Sequence, residues 1–581
     1  MANKVNLIEK CQVGPPQGSV PSPTSIPLSS FDLPWLLCPV SCKRIFFYEF
    51  PYPKTHFLQK VLPNLKQSLS LTLKHFFPLS SNIVFPPKPQ TPHILYLEGD
   101  TLTFTVVEST TTNLNNLVSH TPRDVTCLDP FIPILPSPHV LEDGTLFITP
   151  MAIQVTLLPN SGFTICITFN HVVSDGRSLH NFIKFWASLC MSKKDLSSFP
   201  FLDRDKIGNS NELKSIFLEE LWNMPLNSIG HMDFVPNNNV ANDMVKHTIV
   251  LRRDQIENLK KLVSIKCQSL GLGTLLHVST FVVTCSLIWV SNIKLECTQI
   301  SDEFPNEDEE LYMMVLADCR YFSEMKIPLT YFGNCLVSGL ATMKRSKLVG
   351  QNGLFEAAIA IGSKVRELQC DPYKGVETLM SICRNVVRIR QRLLAIAGSP
   401  KLGAYESDFG WGKPKLSEVG HVNSPGVFSL SDCRDIEGGI EVGIALEKSH
   451  MHKFNIILNE LLTNLSSSKL VLHQVLFLFQ SLFPHILYSE GDTLPFIVAE
   501  STTTNLNNLV SDTPRDVTCL HPFVPILPSP HALEDGTLLI PPMAIQVTIF
   551  PNYGFTICIN FYHVIADGRS FHNFIKFWAS I

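Results

Sequence analysis

The sequence predicts a large globular protein that combines β-strands with α-helices, on the basis of its composition and of one local pattern. The chain has 581 residues, of which 45% are apolar and 17% are charged. This composition provides enough apolar side chains for a large buried core and too little charge for a disordered chain. The length favours roughly three or four domains, and the local pattern places a strand directly before a helix.

That pattern is a strand, a turn and a helix around the segment HVVSDGRS. In residues 163–170 apolar side chains alternate with Thr, Cys, Thr and Asn, which is the period of a half-buried strand. Asp175 and Gly176 supply the turn, and beyond them apolar residues recur at helical spacing, with Ser178 as the predicted N-cap. His171 is therefore expected where the strand ends, a position that directs a side chain into a cleft.

His171 is the main candidate for chemistry in this sequence. Histidine has an unperturbed pKa near ~6.5, so it can accept a proton at neutral pH and act as a general base. The spacing alone leaves a hydrogen-bonded structural histidine as the alternative. A metal site is not expected, because His171 and Asp175 have no third ligand beside them.

Two further segments combine glycine with aromatic residues. In DFGWGKP, which begins at Asp408, Gly410 and Gly412 enclose Trp411 and predict a rigid turn around a buried aromatic side chain. The segment YFGNC, residues 331–335, follows the sequence ADCR and predicts the end of a strand. Taken singly, each segment favours a structural role over a catalytic one.

Taken together and in this order, HxxxDG, YFGNC and DFGWG resemble the signatures of the BAHD family of plant acyl-CoA-dependent acyltransferases. YFGNC is similar to the signature of the branch that acylates the sugars of anthocyanins, flavonoids and other phenolic glucosides. The stretches LSSFDLPWL, FFYEFPYPKTHFL and GGIEVGIALEK also look like those of the family. The resemblance covers approximately residues 20–460.

The resemblance implies an α/β fold with two chloramphenicol-acetyltransferase-like domains of mixed sheet plus helices and a channel at their interface. The N-terminal domain would span 1–195 and the C-terminal domain 241–463, joined by a crossover linker at 196–240. Acyl-CoA would enter the channel from one side and the acceptor alcohol from the other, so that the two substrates meet at His171.

The resemblance also implies a role for each site residue. His171 would deprotonate the acceptor hydroxyl as it attacks the thioester and then protonate the departing thiolate, without a covalent enzyme intermediate. Asp175 would point away from the substrate and pair with an arginine, for which Arg320 is the candidate. Residues 408–412 would support the fold, and Ser399 is a candidate donor of a hydrogen bond to the oxyanion.

The expected reaction is acyl transfer from malonyl-CoA or hydroxycinnamoyl-CoA to a hydroxyl of a phenolic, flavonoid or anthocyanin glucoside. Acyl-CoA is the cosubstrate, and no bound cofactor or metal is expected. Arg177 could grip a donor carboxylate through its planar guanidinium, which would favour malonyl-CoA. A surface arginine that caps the following turn is the alternative.

The chain also contains one long internal repeat. Residues 92–189 recur as residues 484–581 with a constant offset of 392, and about four in five positions are identical. The repeat retains the motif as His563 and Asp567, but no second YFGNC or DFGWG follows it. We therefore expect the segment 464–581 to be a vestigial fusion with an idle His563; an exchanged segment and a dimerisation element are the alternatives.

The charge and hydropathy of the chain argue against nucleic-acid binding, membrane insertion and secretion. The net charge of −5 gives no field that attracts nucleic acid or an anionic membrane. The most apolar stretch, residues 275–290, is interrupted by polar residues and falls short of the ~20 apolar residues that span a bilayer. The first residues lack the pattern of a secretory signal. A cytoplasmic monomer that acts only on small molecules is expected.

Two other functions stay open from the sequence. A catalytically inactive relative could act as a binding or regulatory scaffold, although the intact motifs argue against it. A carrier-protein-dependent condensation domain shares the ancestral fold, but such domains typically carry paired histidines, whereas Asn170 precedes His171 here.

Overall fold

The structure, a computed structural model, divides into two compact units, Met1–Lys469 and Leu470–Ile581. It describes residues 5–37, 41–109, 112–119, 121–158, 160–192, 199–207, 210–225, 229, 243–269, 278–298, 306–322, 324–389, 392–479, 493–502, 506–509, 517–532, 538–562 and 568–579.

The N-terminal sheet of the first unit has six strands within the described residues. In spatial order these strands are Val5–Val13, Leu102–Ser109, Met151–Leu158, Gly162–Asn170, Ser41–Glu49 and Leu416–Val419. The strand Gly162–Asn170, here called the motif strand, is antiparallel to both of its neighbours. It is buried along its whole length, so the prediction of a half-buried strand was wrong. A second apolar cluster covers the face expected to be polar, where Thr168 donates a hydrogen bond to the carbonyl of Pro133.

The C-terminal sheet of the first unit has seven strands in the described part of the chain. In spatial order these strands are Leu336–Lys344, Glu310–Asp318, Leu393–Ala397, Val427–Asp432, Ile440–Glu447, Met244–Leu251 and Arg123–Asp124. The two sheets exchange strands: Arg123–Asp124 comes from the N-terminal half of the chain, and Leu416–Val419 of the N-terminal sheet comes from the C-terminal half. The boundaries predicted from the sequence divide the chain into an N-terminal and a C-terminal half. Each lobe nevertheless contains one strand from the opposite half of the chain.

A smaller sheet and a set of helices complete the first unit. The five strands of the smaller sheet within the described residues are, in spatial order, Thr24–Pro27, His93–Tyr96, Asn82–Phe85, Leu146–Ile148 and His139–Val140. The α-helices are Pro34–Leu37, Lys54–His56, Leu62–Leu73, Leu114–Leu117, Gly176–Cys190, Asn211–Asn223, Arg253–Ser269, Thr280–Cys297, Arg345–Val349, Gly353–Cys370, Pro372–Ile389 and Lys448–Phe479, of which the last includes the boundary after Lys469. The helix Thr280–Cys297 is long and apolar enough to span a bilayer, but most of it is buried inside the protein, as in a core helix.

The helix Gly176–Cys190, here called the motif helix, begins earlier than the sequence predicts. Its N-cap is Asp175, whose Oδ1 accepts a hydrogen bond from the backbone N–H of Ser178 at 2.9 Å. The prediction of Ser178 as the N-cap was therefore wrong. A carboxylate satisfies the free N–H groups of the first turn and also interacts favourably with the helix dipole, so Asp175 outcompetes the hydroxyl.

The predicted linker 196–240 contains folded structure. It includes the helix Asn211–Asn223, and before that helix Arg204 is almost fully buried. The Arg204 guanidinium donates a hydrogen bond to Asp32 at 2.8 Å. Residues 226–242 apart from Ile229 lie outside the described residues. Part of the predicted linker therefore contributes to the core of the first unit.

The second unit repeats elements of the N-terminal lobe. Its main sheet has the strands Phe496–Glu500, Met543–Phe550 and Gly554–Phe561, and its other elements are Leu506–Leu509, Val517–Phe523, His531–Ala532, Leu538–Leu539 and Gly568–Trp578. Phe555 is 63% exposed, whereas its counterpart Phe163 in the motif strand is fully buried. In the described part of this unit no strand takes the place that Ser41–Glu49 has beside the motif strand.

We expect a chain that ends after Lys469 to keep its thermal unfolding midpoint. All strands of the two large sheets lie between Val5 and Glu447, so the truncation removes none of them. Circular dichroism during heating provides the measurement. A clear fall in the midpoint of the truncated chain would instead show that the second unit stabilises the first.

Candidate active site

A cavity of about 1170 Å³ lies between the two lobes of the first unit. Trp35, His171 and Arg177 line it from the N-terminal half of the chain, and Ser399 and His421 line it from the C-terminal half. The space that the predicted channel requires is therefore present, with His171 on its wall.

His171 follows the last residue of the motif strand and is 9% exposed. The Trp35 indole stacks on its ring, with 3.6 Å between the ring centroids and 19° between the planes. Its Nδ1 lies 3.0 Å from Oδ1 of Asn334. Burial lowers the pKa of His171, and the negative charge of Asp175 opposes this only in part. The imidazole is therefore neutral at pH 7.

Asn334 connects His171 to a buried ion pair. Its Nδ2 donates a hydrogen bond to Oδ1 of Asp32 at 2.9 Å and another to the backbone carbonyl of His171 at 2.8 Å. Asp32 forms an ion pair with Arg204 at 2.8 Å, and both side chains are almost entirely buried. Three segments that are distant in sequence thus meet behind the histidine ring.

Asp175 is fully buried and lies behind the cavity wall. Its Oδ2 accepts hydrogen bonds from Nη1 of Arg320 at 2.8 Å and from the backbone N–H of Cys335 at 3.0 Å. Burial alone would raise the pKa of Asp175, but the Arg320 guanidinium outweighs burial and holds the pKa below its ordinary value. Asp175 therefore stays ionised and joins the loop of the HxxxDG motif to the C-terminal half of the chain.

The segment YFGNC packs directly against Arg320. Nη2 of Arg320 donates hydrogen bonds to the carbonyls of Tyr331 at 3.1 Å and Gly333 at 3.2 Å. Gly333 has a φ of 153°, and a Cβ there would lie 2.5 Å from the Tyr331 hydroxyl. Only glycine fits this position. The segment is therefore folded around the arginine that holds Asp175.

Arg177 lies on the cavity wall, but three groups from the C-terminal half of the chain already bond to its guanidinium. Nε donates a hydrogen bond to Oδ2 of Asp318 at 2.7 Å, and Nη2 donates to the Tyr321 hydroxyl at 2.5 Å. Nη2 also lies 3.3 Å from the carbonyl oxygen of Lys401. Arg177 therefore bonds to the opposite half of the chain, where it shares the Asp318 carboxylate with Arg320.

Two further polar side chains line the cavity from the C-terminal half. Ser399 begins a short 3₁₀ turn, and its Oγ accepts a hydrogen bond from the backbone N–H of Lys401 at 3.3 Å. His421 accepts the backbone N–H of Lys43 on Nδ1 at 3.1 Å, so its own proton is on Nε2. Burial lowers the pKa of His421 to about 3. His421 is therefore a neutral hydrogen-bond donor at the cavity.

The segment DFGWG lies apart from the described residues that line the cavity. Asp408 closes a turn through Oδ1, which accepts the backbone N–H groups of Gly410 at 2.7 Å and Gly412 at 3.0 Å. Both glycines have positive φ, 106° and 88° respectively. Phe409 packs edge-on against Trp186 of the motif helix, and Trp411 stacks on Phe409. The segment supports the back of the motif helix.

His563 and Asp567, the repeated motif residues, lie outside the described residues. Within the described part of the chain, no group of three or more His, Cys, Asp or Glu side chains is placed to hold a metal ion.

Two α/β lobes that enclose a cavity with a neutral imidazole on its wall suit an enzyme that holds its substrates beside a general base. A family model described as the Transferase family matches residues 3–460 and again residues 489–581. The chain belongs to this family, the BAHD acyltransferases, and is an acyl-CoA-dependent acyltransferase. The prediction of the family from three short motifs is thus confirmed.

Individual relatives support this assignment. The chain is 39% identical over 470 residues to coumaroyl-CoA:anthocyanidin 3-O-glucoside-6''-O-coumaroyltransferase 1 of Arabidopsis thaliana, covering 78% of this chain and 97% of the relative. It is 33% identical over 468 residues to malonyl-coenzyme A:anthocyanin 3-O-glucoside-6''-O-malonyltransferase of Dahlia pinnata, with coverage of 78% and 97%. The solved structure of vinorine synthase matches with a TM-score of 0.56 at 18% identity, covering 78% of this chain and 96% of its own. This last match confirms the predicted fold.

The sequence did not single out several residues of the site. Trp35 and Asp32 lie in LSSFDLPWL, and Asn334 lies in YFGNC. Both segments contribute to the resemblance, but the resemblance assigned no role to these three side chains. Arg204 and His421 stand in no motif, and no sequence signal distinguishes them.

We expect Asp175→Ala to lower the free energy of unfolding by about 3–5 kcal/mol, because it removes the fully buried partner of the Arg320 guanidinium and leaves that charge only Asp318, a carboxylate that Arg320 shares with Arg177. Urea denaturation provides the measurement. Asp308→Ala is the matched control, since it removes an exposed carboxylate paired with Lys344 and should change stability little. A soluble and fully stable but inactive Asp175→Ala protein would contradict this account and favour a direct catalytic role.

Proposed function

We propose that this acyltransferase moves an acyl group from acyl-CoA to a sugar hydroxyl of a phenolic, flavonoid or anthocyanin glucoside, with His171 as the general base. The names of the relatives support this substrate class, since they specify anthocyanin and phenolic glucosides as acceptors. The observation that carries the role of His171 is its neutral ring on the wall of the cavity between the lobes.

The reaction needs two substrates and one proton carrier. When the cavity holds the thioester beside the hydroxyl, it removes much of the entropic cost of bringing them together. His171 takes the hydroxyl proton as the oxygen attacks the thioester carbonyl, and a tetrahedral oxyanion forms. When the carbon–sulfur bond breaks, the imidazolium returns the proton to the thiolate of CoA. Ser399, on the cavity wall, is a proposed donor to the oxyanion.

The donor is proposed to be a hydroxycinnamoyl-CoA, with malonyl-CoA as the second candidate. Asp318, the Tyr321 hydroxyl and the Lys401 carbonyl already engage the Arg177 guanidinium, which weakens the case for a donor carboxylate at that position. Phe281, Leu316 and Phe322 on the cavity wall suit an aromatic acyl group. Among the relatives, the coumaroyltransferase shares 39% identity and the malonyltransferase 33%.

A catalytically inactive scaffold is the competing function. An assay that follows release of the CoA thiol with coumaroyl-CoA and an anthocyanin glucoside distinguishes the two, because a scaffold releases none. The enzyme is further proposed to work as a monomer, since residues of a single chain line the cavity. The cytoplasmic location stays a prediction from the sequence.

We expect His171→Ala to lower kcat by roughly 10²–10⁴, the usual contribution of a general base. His563→Ala is the matched control, because it changes the same motif in the repeat and should leave kcat unchanged. Steady-state kinetics of both variants provide the measurement. Near-normal turnover by His171→Ala would contradict the role of His171. For the intact enzyme, kcat/KM should begin to fall only below about pH 6.5, since burial lowers the pKa of this base.

We expect Arg177→Ala to leave the preference between coumaroyl-CoA and malonyl-CoA unchanged, because three groups of the protein already occupy the Arg177 guanidinium. The ratio of kcat/KM for the two donors, with one anthocyanin glucoside as the acceptor, provides the measurement. A selective loss of malonyl transfer in Arg177→Ala would contradict this expectation and assign the donor carboxylate to Arg177.

A further inference from the structure

We propose that Asn334 is a positioning residue that fixes the tautomer of His171, with the proton on Nδ1 and a lone pair on Nε2. The inference rests on the proposed function, because it takes His171 as the general base. It adds Asn334, which keeps His171 in its reactive form, and the Asp32–Arg204 ion pair, which keeps Asn334 in place.

The first step is the orientation of the Asn334 side-chain amide. Nδ2 lies 2.9 Å from Oδ1 of Asp32, 2.8 Å from the carbonyl oxygen of His171 and 3.1 Å from that of Val172. All three atoms only accept hydrogen bonds. The group that faces them must therefore be the donor NH₂, which places the amide oxygen against the imidazole.

The second step is the position of the histidine proton. Oδ1 of Asn334 lies 3.0 Å from Nδ1 of His171 and can only accept a hydrogen bond. Nδ1 must therefore carry a hydrogen. Because burial lowers the pKa of His171, the ring is neutral and carries a single proton. Nε2 is thus left with the lone pair that a general base requires.

The third step is what prevents the amide from rotating. A rotated amide would place its oxygen against the carboxylate of Asp32, where two acceptors repel each other. Asp32 cannot move to relieve this contact, because its Oδ2 accepts hydrogen bonds from Arg204 at 2.8 Å and from the backbone N–H of Ser29 at 2.8 Å. The Asp32–Arg204 ion pair thus fixes Asn334, and Asn334 fixes the proton on His171.

Trp35 cannot replace Asn334 in this role. Its indole lies flat on the His171 ring and holds the plane of the ring. A stacking contact does not distinguish the two ring nitrogens, so it leaves the tautomer undetermined. The plane and the proton of the base therefore depend on different residues, which makes their contributions separable by mutation.

The test compares Asn334→Ala with Asn334→Asp. Asn334→Ala removes the acceptor for Nδ1–H, and kcat should fall at least about tenfold at every pH, by no more than the roughly 10²–10⁴ expected when a general base is lost, with little change in KM. Asn334→Asp keeps an acceptor and adds a negative charge that raises the pKa of His171. Its kcat should recover at alkaline pH, with the acid limb of the pH profile displaced to higher pH.

Asn64→Ala is the control for the loss of a partly buried amide, since Asn64 bonds to the carbonyl of Cys190 and should leave the kinetics unchanged. If His171→Ala is inactive while Asn334→Ala keeps the wild-type kcat and pH profile, the positioning role is overturned and the proposed function stands. If His171→Ala stays active, the proposed function itself fails.

Asn334→Asp places a second carboxylate beside Asp32, so circular dichroism must first show that this variant folds. A second measurement uses the unmutated protein labelled with ¹⁵N-histidine, in which long-range ¹H–¹⁵N correlations distinguish protonated from bare ring nitrogens. The signals lost in His171→Ala identify this residue. A bare Nε2 supports the proposal, and a protonated Nε2 overturns it.

Discussion

The buried ion pair between Asp175 and Arg320 is the constraint on which the active site depends. It joins a loop that follows the motif strand to a segment that follows a strand of the C-terminal sheet, across the boundary between the two lobes. Neither charge touches solvent, so each needs an opposite charge to offset its loss of hydration, and Asp318 is a second partner for Arg320 only. The pair therefore specifies one relative arrangement of the two loops, and His171 is carried on one of them.

The two ion pairs that fix the loops around His171 lie behind the cavity wall, whereas Arg177 and Asp318 are among the charged side chains that line the cavity. The ionised side chains Asp175, Arg320, Asp32 and Arg204 lie behind the wall, where they pair with one another. His171 on the wall itself is kept neutral by burial. A base that must accept a proton gains from this arrangement, because the fixed charges orient the loops without protonating the ring. Under the proposed function, the motif HxxxDG combines one residue for proton transfer, His171, with one that holds the loop in place, Asp175.

Local patterns in the sequence predicted the strand and the helix on either side of His171, and long-range contacts determined the details that these patterns missed. The alternation of residues 163–170 predicted the motif strand, but a second core cluster from elsewhere in the chain buries its other face. The order of three motifs predicted the family and the fold. Arg204 is 172 residues from its partner Asp32, and Asn334 is 163 residues from its partner His171. No short window of sequence contains both members of either pair, so local patterns could not predict these contacts.

A crystal structure of the intact protein with an unreactive thioether analogue of coumaroyl-CoA and a flavonoid glucoside is the most direct test of the central claim. The account predicts that the attacking sugar hydroxyl lies within about 2.6–3.2 Å of Nε2 of His171, on the cavity side of the ring. A hydroxyl oxygen held by a different side chain, with the imidazole turned away from both substrates, would contradict it.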